Sequence, residues 1–174
     1  MPGFAKTLAG GDRRSIGNSN RVAAVVLRQP DRLAEVIECL RSPDPVVRMR
    51  AADAAEKVSA KRPELLGPFK MDLLSLAAES TQAELRWHLA LMIPRLRLTL
   101  AERHHAVRLF SEYLSDRSSI VKTFAIQALA DLSRGVPDMH TDLVDLLERT
   151  ARDGTAAMKA RSRILLKALK QNPA

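Results

Sequence analysis

The sequence is poor in aromatic residues and contains a single cysteine. Aromatic residues make up 3% of the 174 positions, although apolar residues make up 46%. The core must therefore consist mainly of Leu, Ala and Val, which pack helix against helix at close range. One cysteine excludes a disulfide framework and any metal site made of several thiolates. Because Cys39 lies in the apolar helical pattern of Val36, Ile37 and Leu40, we expect a reduced, buried thiol.

Long apolar runs are also missing. No segment approaches the roughly 18 apolar residues that a membrane-spanning helix needs. The first residues contain no apolar region of the kind found in a secretory signal peptide. The sequence thus predicts a cytoplasmic protein that has no membrane partner.

No pattern of residues indicates catalysis. The sequence has no Gly-rich phosphate loop, no Cys/His cluster and no Ser-based nucleophile elbow. His104 and His105 are adjacent and point in different directions on a helix, so they cannot chelate one metal ion as an i, i+4 pair does. His140, beside Asp142 and Asp145, is interpreted as solvated surface. We therefore predict that the protein is not an enzyme and has no catalytic residue, metal site, cofactor or small-molecule substrate.

The chain carries an excess of positive charge. Lysine and arginine number 28 against 20 acidic residues, which gives a net charge of +8 and a pI near 10.2. Such a balance favours acidic partners, with nucleic acid the first to test, although solubility alone also produces it.

Helical periodicity begins after a glycine-rich start. Residues 1–20 contain four glycines and no helical pattern, and we interpret them as a flexible or irregular N-terminal arm. Residues 21–174 are interpreted as one helical-repeat domain. Its first helix, Arg21 to Arg28, is short and caps the array. Pro30, Pro63 and Pro137 are each followed by an acid, which is typical of helix starts.

One pattern recurs along the helical part about every 37 residues. At equivalent positions of the four second helices, which we call a register, one position is always apolar and the next is always basic. First helices carry an apolar i, i+3, i+7 stripe in step with them. The apolar register is Val47, Leu85, Val121 and Met158, and the basic register is Arg48, Arg86, Lys122 and Lys159. Four repeats in step predict hairpins that bury their apolar faces only against their neighbours.

The segment Ser42–Arg48, followed by Ala51, Ala52 and Ala55, resembles the turn and second helix of a HEAT repeat. HEAT units have an Asp in the turn, which here stands at Asp116 in the third repeat; Ser42 occupies that position in the first. The resemblance covers about residues 30–170. It implies an all-α, right-handed α-solenoid of about four helical hairpins, in which second helices line the concave face.

The pattern also places the elements. We predict repeats near 30–61, 63–97, 99–134 and 137–170. First helices are expected near 31–41, 64–79, 100–115 and 138–152, and second helices near 46–61, 82–97, 118–134 and 155–170. Pro94 is expected to kink the second helix of repeat two or to end it early.

Charge separates between the two sets of helices. First helices with their turns carry 8 basic and 15 acidic residues, whereas second helices with their exit loops carry 15 basic and 4 acidic ones. With the HEAT resemblance, this separation implies a basic concave groove. The predicted partner-binding residues are those of two second-helix registers: Arg48, Arg86, Lys122 and Lys159, and two positions further on Arg50, His88, Phe124 and Arg161.

Two structural explanations for these charges remain open. In HEAT repeats, the register of Arg48 commonly pairs with the turn Asp. The last helix carries a stripe of Lys159, Arg163, Lys167 and Lys170, which we interpret as the polar cap of a terminal repeat.

We predict a non-catalytic scaffold whose basic groove holds an acidic or amphipathic protein partner. Binding of a nucleic-acid phosphate backbone is the alternative. A HEAT-like alkylpurine DNA glycosylase is less favoured. Trp87 lies in an apolar run with Leu85 and Leu89, and no acidic residue follows it within a helical turn.

Overall fold

The computed structural model describes residues 3–12 and 14–171, which form α-helices and short 3-10 turns without any strand. The prediction of an all-α fold is confirmed. The chain divides into two compact units, Met1–Arg97 and Leu98–Ala174.

Unit 1 contains six α-helices within its described residues. They are α1 (Phe4–Leu8), α2 (Ser19–Arg28), α3 (Leu33–Cys39), α4 (Pro45–Lys61), α5 (Lys70–Glu79) and α6 (Ala83–Met92). Prolines open the 3-10 turns Pro30–Arg32 and Pro63–Phe69, which precede α3 and α5. The predicted first helices therefore start as 3-10 turns and continue as α-helix.

The α4 helix has a clear start signal. Asp44 is its N-cap and accepts a hydrogen bond of 2.8 Å from the backbone N–H of Val46. Pro45 follows at the first helical position, where a missing N–H costs nothing. The predicted effect of a proline inside a helix is confirmed at Pro94. α6 ends at Met92, and a 3-10 turn over Ile93–Arg95 follows it.

Unit 2 contains four α-helices within its described residues. They are α7 (Leu100–Tyr113), α8 (Ser119–Leu132), α9 (His140–Asp153) and α10 (Ala156–Gln171). α7 lacks a proline start but has a capping box. The backbone N–H of Thr99 donates to Glu102 Oε2 at 2.8 Å, and the N–H of Glu102 donates to Thr99 Oγ1 at 3.3 Å. Two orphan donors are thus satisfied reciprocally.

Helices pair as hairpins in each unit. In unit 1, α3 packs on α4 and α5 on α6, while α4 also packs on α2 and α6. In unit 2, α7 packs on α8 and α9 on α10, while α8 also packs on α10. Alanines permit close approach of the second helices, and Ala51 and Ala125 are both fully buried.

The N-terminal segment is part of unit 1 and packs on its other helices. α1 contacts α3 and α4, and its Phe4 and Leu8 side chains are buried. The guanidinium of Arg32 lies 4.0 Å from the centroid of the Phe4 ring. α1 is only five residues long, so no helical periodicity could reveal it.

Among the described residues, no helix is both long enough and apolar enough to cross a membrane.

We expect the substitution Ala51→Leu to destabilise unit 1 by about 1–3 kcal/mol, because the added atoms overpack a filled helix contact. Urea unfolding followed by the fluorescence of Trp87 measures the free energy of unfolding. Ala60→Leu is the matched control, since Ala60 lies exposed on the same helix; it should change stability by less than about 0.5 kcal/mol. Equal stability of the Ala51→Leu variant and the parent would contradict the packing described here.

Candidate binding surface

Arg48 and Arg86, the unit 1 members of the first predicted register, donate hydrogen bonds to main-chain carbonyl oxygens. Arg48 Nη1 donates to the carbonyl oxygen of Ser42 at 2.7 Å, and Arg48 Nε donates to Gln82 Oε1 at 2.7 Å. Arg86 Nε likewise donates to the carbonyl oxygen of Ser80 at 2.6 Å. The turns at Ser42 and Ser80 lack the Asp of the HEAT pattern and offer a main-chain oxygen in its place. These two arginines therefore tie each second helix to the turn before it.

Arg50 was predicted to be a partner-binding residue, but the structure places it in the interior of unit 1. Its side chain is buried, with 4% of the residue exposed. The guanidinium donates to main-chain carbonyl oxygens of the N-terminal segment: Leu8 at 2.8 Å, Ala9 at 3.4 Å, Gly10 at 2.6 Å, Asp12 at 3.2 Å and Ser15 at 3.0 Å. We call this arrangement the Arg50 cage. Its oxygens satisfy the hydrogen-bond donors of a buried cation.

Glycines allow the chain to pass close to this cation. Gly17 has a φ of +50°, in the left-handed region that favours glycine. A Cβ atom at this position would lie 2.7 Å from Arg50 Cζ. The glycine-rich start was interpreted from sequence as a flexible or irregular arm. In the structure, its main chain surrounds the side chain of Arg50.

His88 was also predicted to be a partner-binding residue, and it too lies in the interior. It is buried at 2% exposure on α6. Its Nδ1 lies 2.6 Å from the carbonyl oxygen of Glu84 and donates to it. Its Nε2 lies 3.7 Å from Asp53 Oδ1 and has no hydrogen-bond partner among the described residues. His88 therefore faces the interior contact between α4 and α6.

Asp53 is the centre of a polar network across three helices. Its Oδ2 accepts hydrogen bonds from Ser19 Oγ on α2 and from Lys57 Nζ on α4 at 2.6 Å. Burial alone would raise the pKa of Asp53. The facing His88 ring and the Lys57 and Ser19 bonds favour the carboxylate more strongly, so the pKa lies well below its ordinary range.

Further cations of the second helices are also engaged in helix contacts. Arg95 Nη2 lies 2.6 Å from Glu56 Oε1, and Arg95 Nη1 donates to Ser59 Oγ at 2.8 Å. In unit 2, Arg161 Nη1 on α10 donates to Gln127 Oε1 on α8 at 2.9 Å. Positive charge on these helices thus holds neighbouring helices together.

The remaining predicted site residues lie in unit 2. Lys122 and Phe124 on α8, and Lys159 on α10, are half-buried. Their role in binding stays a prediction.

The exposed part of α10 differs from the surfaces above because its charges face outward. Positions separated by three, four or seven residues form one side of this helix. We call this side the outer face of α10; its exposed residues are Ala156, Ala157, Ala160, Arg163, Ile164, Lys167, Ala168, Lys170 and Gln171.

The outer face has two different edges. Arg163, Lys167 and Lys170 form a basic edge, and α10 contains no acidic residue. Ala157, Ile164 and Ala168 form an apolar edge, in which Ile164 is 62% exposed. This face offers charge and apolar surface side by side.

The repeat register shows how unusual this face is. Arg163 and Lys167 stand where α8 has Ile126 and Ala130. In α8 these two residues are buried and belong to the core cluster of unit 2. The outer face of α10 is therefore unsuited to the apolar packing that joins α8 to α10.

Groups that support chemistry are sparse. In residues 3–12 and 14–171, no set of three or more His, Cys, Asp or Glu side chains is arranged to hold a metal ion. Cys39 is buried, as predicted, and burial raises the pKa of its thiol. A raised pKa disfavours the thiolate that a nucleophile requires.

Comparison with protein-family models gave no match to this chain, and neither the curated proteins nor the solved structures gave one.

The Asp53 network predicts a pH dependence of stability. Folding lowers the pKa of Asp53. Its contribution to the free energy of unfolding is therefore fully present above the ordinary aspartate pKa of 3.8 and is lost as the pH falls below that value toward the folded-state pKa. We expect the stability difference between the parent and Asp53→Asn to shrink below pH 4, by at most about 1.4 kcal/mol per pH unit.

Urea unfolding of both proteins at pH 7, 5, 4 and 3 measures this difference. Asp72→Asn is the control, because Asp72 is exposed on α5 in the same unit. A parent-minus-variant difference for Asp53 that does not change with pH would contradict the network.

Proposed function

We propose that this protein is a non-catalytic binding module that holds an acidic, amphipathic segment of a protein partner on the outer face of α10. The observation that carries the proposal is the pairing of a basic edge with an apolar edge on one exposed helix that has no acidic residue. The partner class is the one expected from the sequence, but the proposed binding site is the outer face of α10 and not the basic groove.

The partner's chemistry follows from the two edges. Arg163, Lys167 and Lys170 favour acidic side chains and repel basic ones, which gives orientation and a faster encounter. Ala157, Ile164 and Ala168 recur at i, i+7 and i+11, the spacing that an amphipathic helix uses to pack on another helix. Alanines at two of these positions allow a close approach of the two backbones.

A nucleic-acid phosphate backbone is the alternative partner. It would use the basic edge alone, because phosphate contacts come from cationic and polar donors. The exposed side chain of Ile164 would then make no apolar contact with the partner. The apolar edge therefore favours a protein segment.

The predicted basic groove is not retained as the binding surface. Arg50 and His88 are buried, and Arg48, Arg86 and Arg161 donate hydrogen bonds within their own units. Cations that are engaged in this way have less capacity to attract a partner.

Several expectations from the sequence accompany the proposal. We infer that each unit is a segment of a right-handed, HEAT-like α-solenoid. The roughly 37-residue period and the packing of successive second helices within a unit support this inference. We also propose that the protein acts in the cytoplasm and not as an enzyme, without cofactor or metal.

The test uses a synthetic amphipathic helical peptide that bears Glu along one side and Leu and Ala along the other. We expect the double variant Arg163→Glu/Lys167→Glu to bind it at least about tenfold more weakly than the parent, because two attractions become repulsions. Isothermal titration calorimetry at physiological salt measures the dissociation constants.

The control is Arg108→Glu/Arg149→Glu, which makes the same change in net charge at exposed positions on α7 and α9 of the same unit. This variant should bind the peptide as the parent does. Equal losses in both variants would attribute binding to net charge and refute the α10 site. Tighter binding of a DNA duplex than of the peptide, with a steep fall as salt rises, would favour the alternative.

A further inference from the structure

A pocket of about 370 Å³ opens in unit 2 beside the end of α10. Leu143 of α9 and Leu165, Ala168 and Leu169 of α10 form its apolar walls, together with Ala130 of α8. This volume is at the low end of the roughly 300–1,000 Å³ of ligand sites. It suits one large apolar side chain.

The pocket exists because small residues lie where the helices converge. Ala130 and Ala168 leave space that larger side chains would fill, and α8 ends at Leu132 just beyond Ala130. Leu143 and Leu165 are part of the core cluster of unit 2. An apolar group that enters the pocket therefore reaches the edge of an existing core.

His140 lines the pocket together with Ser133 and Arg134, and the side chains of the latter two are already engaged. Ser133 Oγ donates to the carbonyl oxygen of Leu129 at 2.8 Å. Arg134 Nη2 lies 2.9 Å from Asp131 Oδ1. Because Ser133 and Arg134 have partners and five of the lining residues are Leu or Ala, the pocket favours an apolar occupant.

Ala168 connects the pocket to the proposed binding surface. It is exposed on the apolar edge of the outer face of α10 and also lines the pocket. A segment that packs along Ala157 and Ile164 therefore reaches the pocket at Ala168. Lys167 and Lys170 lie next to this point in the sequence and place positive charge there.

We propose that the pocket is an anchor site for one large apolar side chain, such as Trp, carried by the acidic segment that binds α10. This inference depends on the proposed function and specifies the partner further. The partner is an acidic helical segment with one large apolar residue near the end that reaches Ala168. The charge of the outer face and the apolar walls of the pocket together determine this chemistry.

The test compares two synthetic peptides that have identical acidic residues and differ at one position, Trp or Ala, at the end that reaches Ala168. We expect the Trp peptide to bind the parent about tenfold more tightly, since it buries a large apolar side chain. Methyl NMR should show shifts at Ala157 and Ile164 with both peptides, and at Leu143 and Leu165 with the Trp peptide only.

The variant Ser133→Leu narrows the pocket from the end of α8, away from the outer face of α10, and should remove the advantage of the Trp peptide while leaving binding of the Ala peptide in place. Ala101→Phe, at an exposed position on α7, is the control and should keep the advantage. Equal affinity of the two peptides for the parent would overturn the anchor site and leave the α10 surface standing. Failure of both peptides to bind or to shift α10 signals would overturn the proposed function and the anchor site with it.

Discussion

Positive charge buried at helix contacts is the constraint on which much of this structure depends. A guanidinium that leaves water must receive hydrogen bonds from the protein, because an unpaired buried cation is costly. Arg50 meets this requirement with main-chain oxygens alone. Arg95 uses Glu56 and Ser59, and Arg161 uses Gln127. These bonds join elements that are distant in sequence, so the same residues that make the chain basic also hold its helices together.

This constraint separates structural charge from charge that can act on a partner. Arg50 orders the N-terminal segment, and Lys57 takes part in the network that joins α2 to α4. On α10 the basic edge lies where the equivalent part of α8 is apolar and buried. The proposed binding surface follows from this difference in burial and not from the net charge of the chain.

The sequence predicts the helices better than it predicts the site. The period of about 37 residues locates the hairpins to within a few residues, since apolar spacing reports directly on which face is buried. Pro94 and the buried alanines Ala51 and Ala125 follow from equally local rules. The burial of Arg50 does not, because its acceptors are carbonyl oxygens, which every residue has. The four glycines of the first 20 residues were the available signal, and they fit close backbone approach as well as they fit flexibility.

The predicted binding register of Arg50, His88, Phe124 and Arg161 shows why repeat register alone does not identify a binding surface. Equivalent positions in a repeat share a direction, but what covers them depends on the neighbouring element. The N-terminal segment covers Arg50, and the contact between α4 and α6 covers His88. Their exposure depends on tertiary contacts that no single-sequence pattern contains.

Hydrogen exchange of arginine side chains tests most directly the separation of structural from available charge. Nitrogen-15 NMR resolves the Nε–H group of each arginine and measures its exchange with water. The Nε–H of Arg50, which donates to the carbonyl oxygen of Ser15 at 3.0 Å, should exchange far more slowly than that of Arg163, which is exposed on α10. Exchange of Arg50 as fast as that of Arg163 would show that the cage is open in solution and would contradict the account.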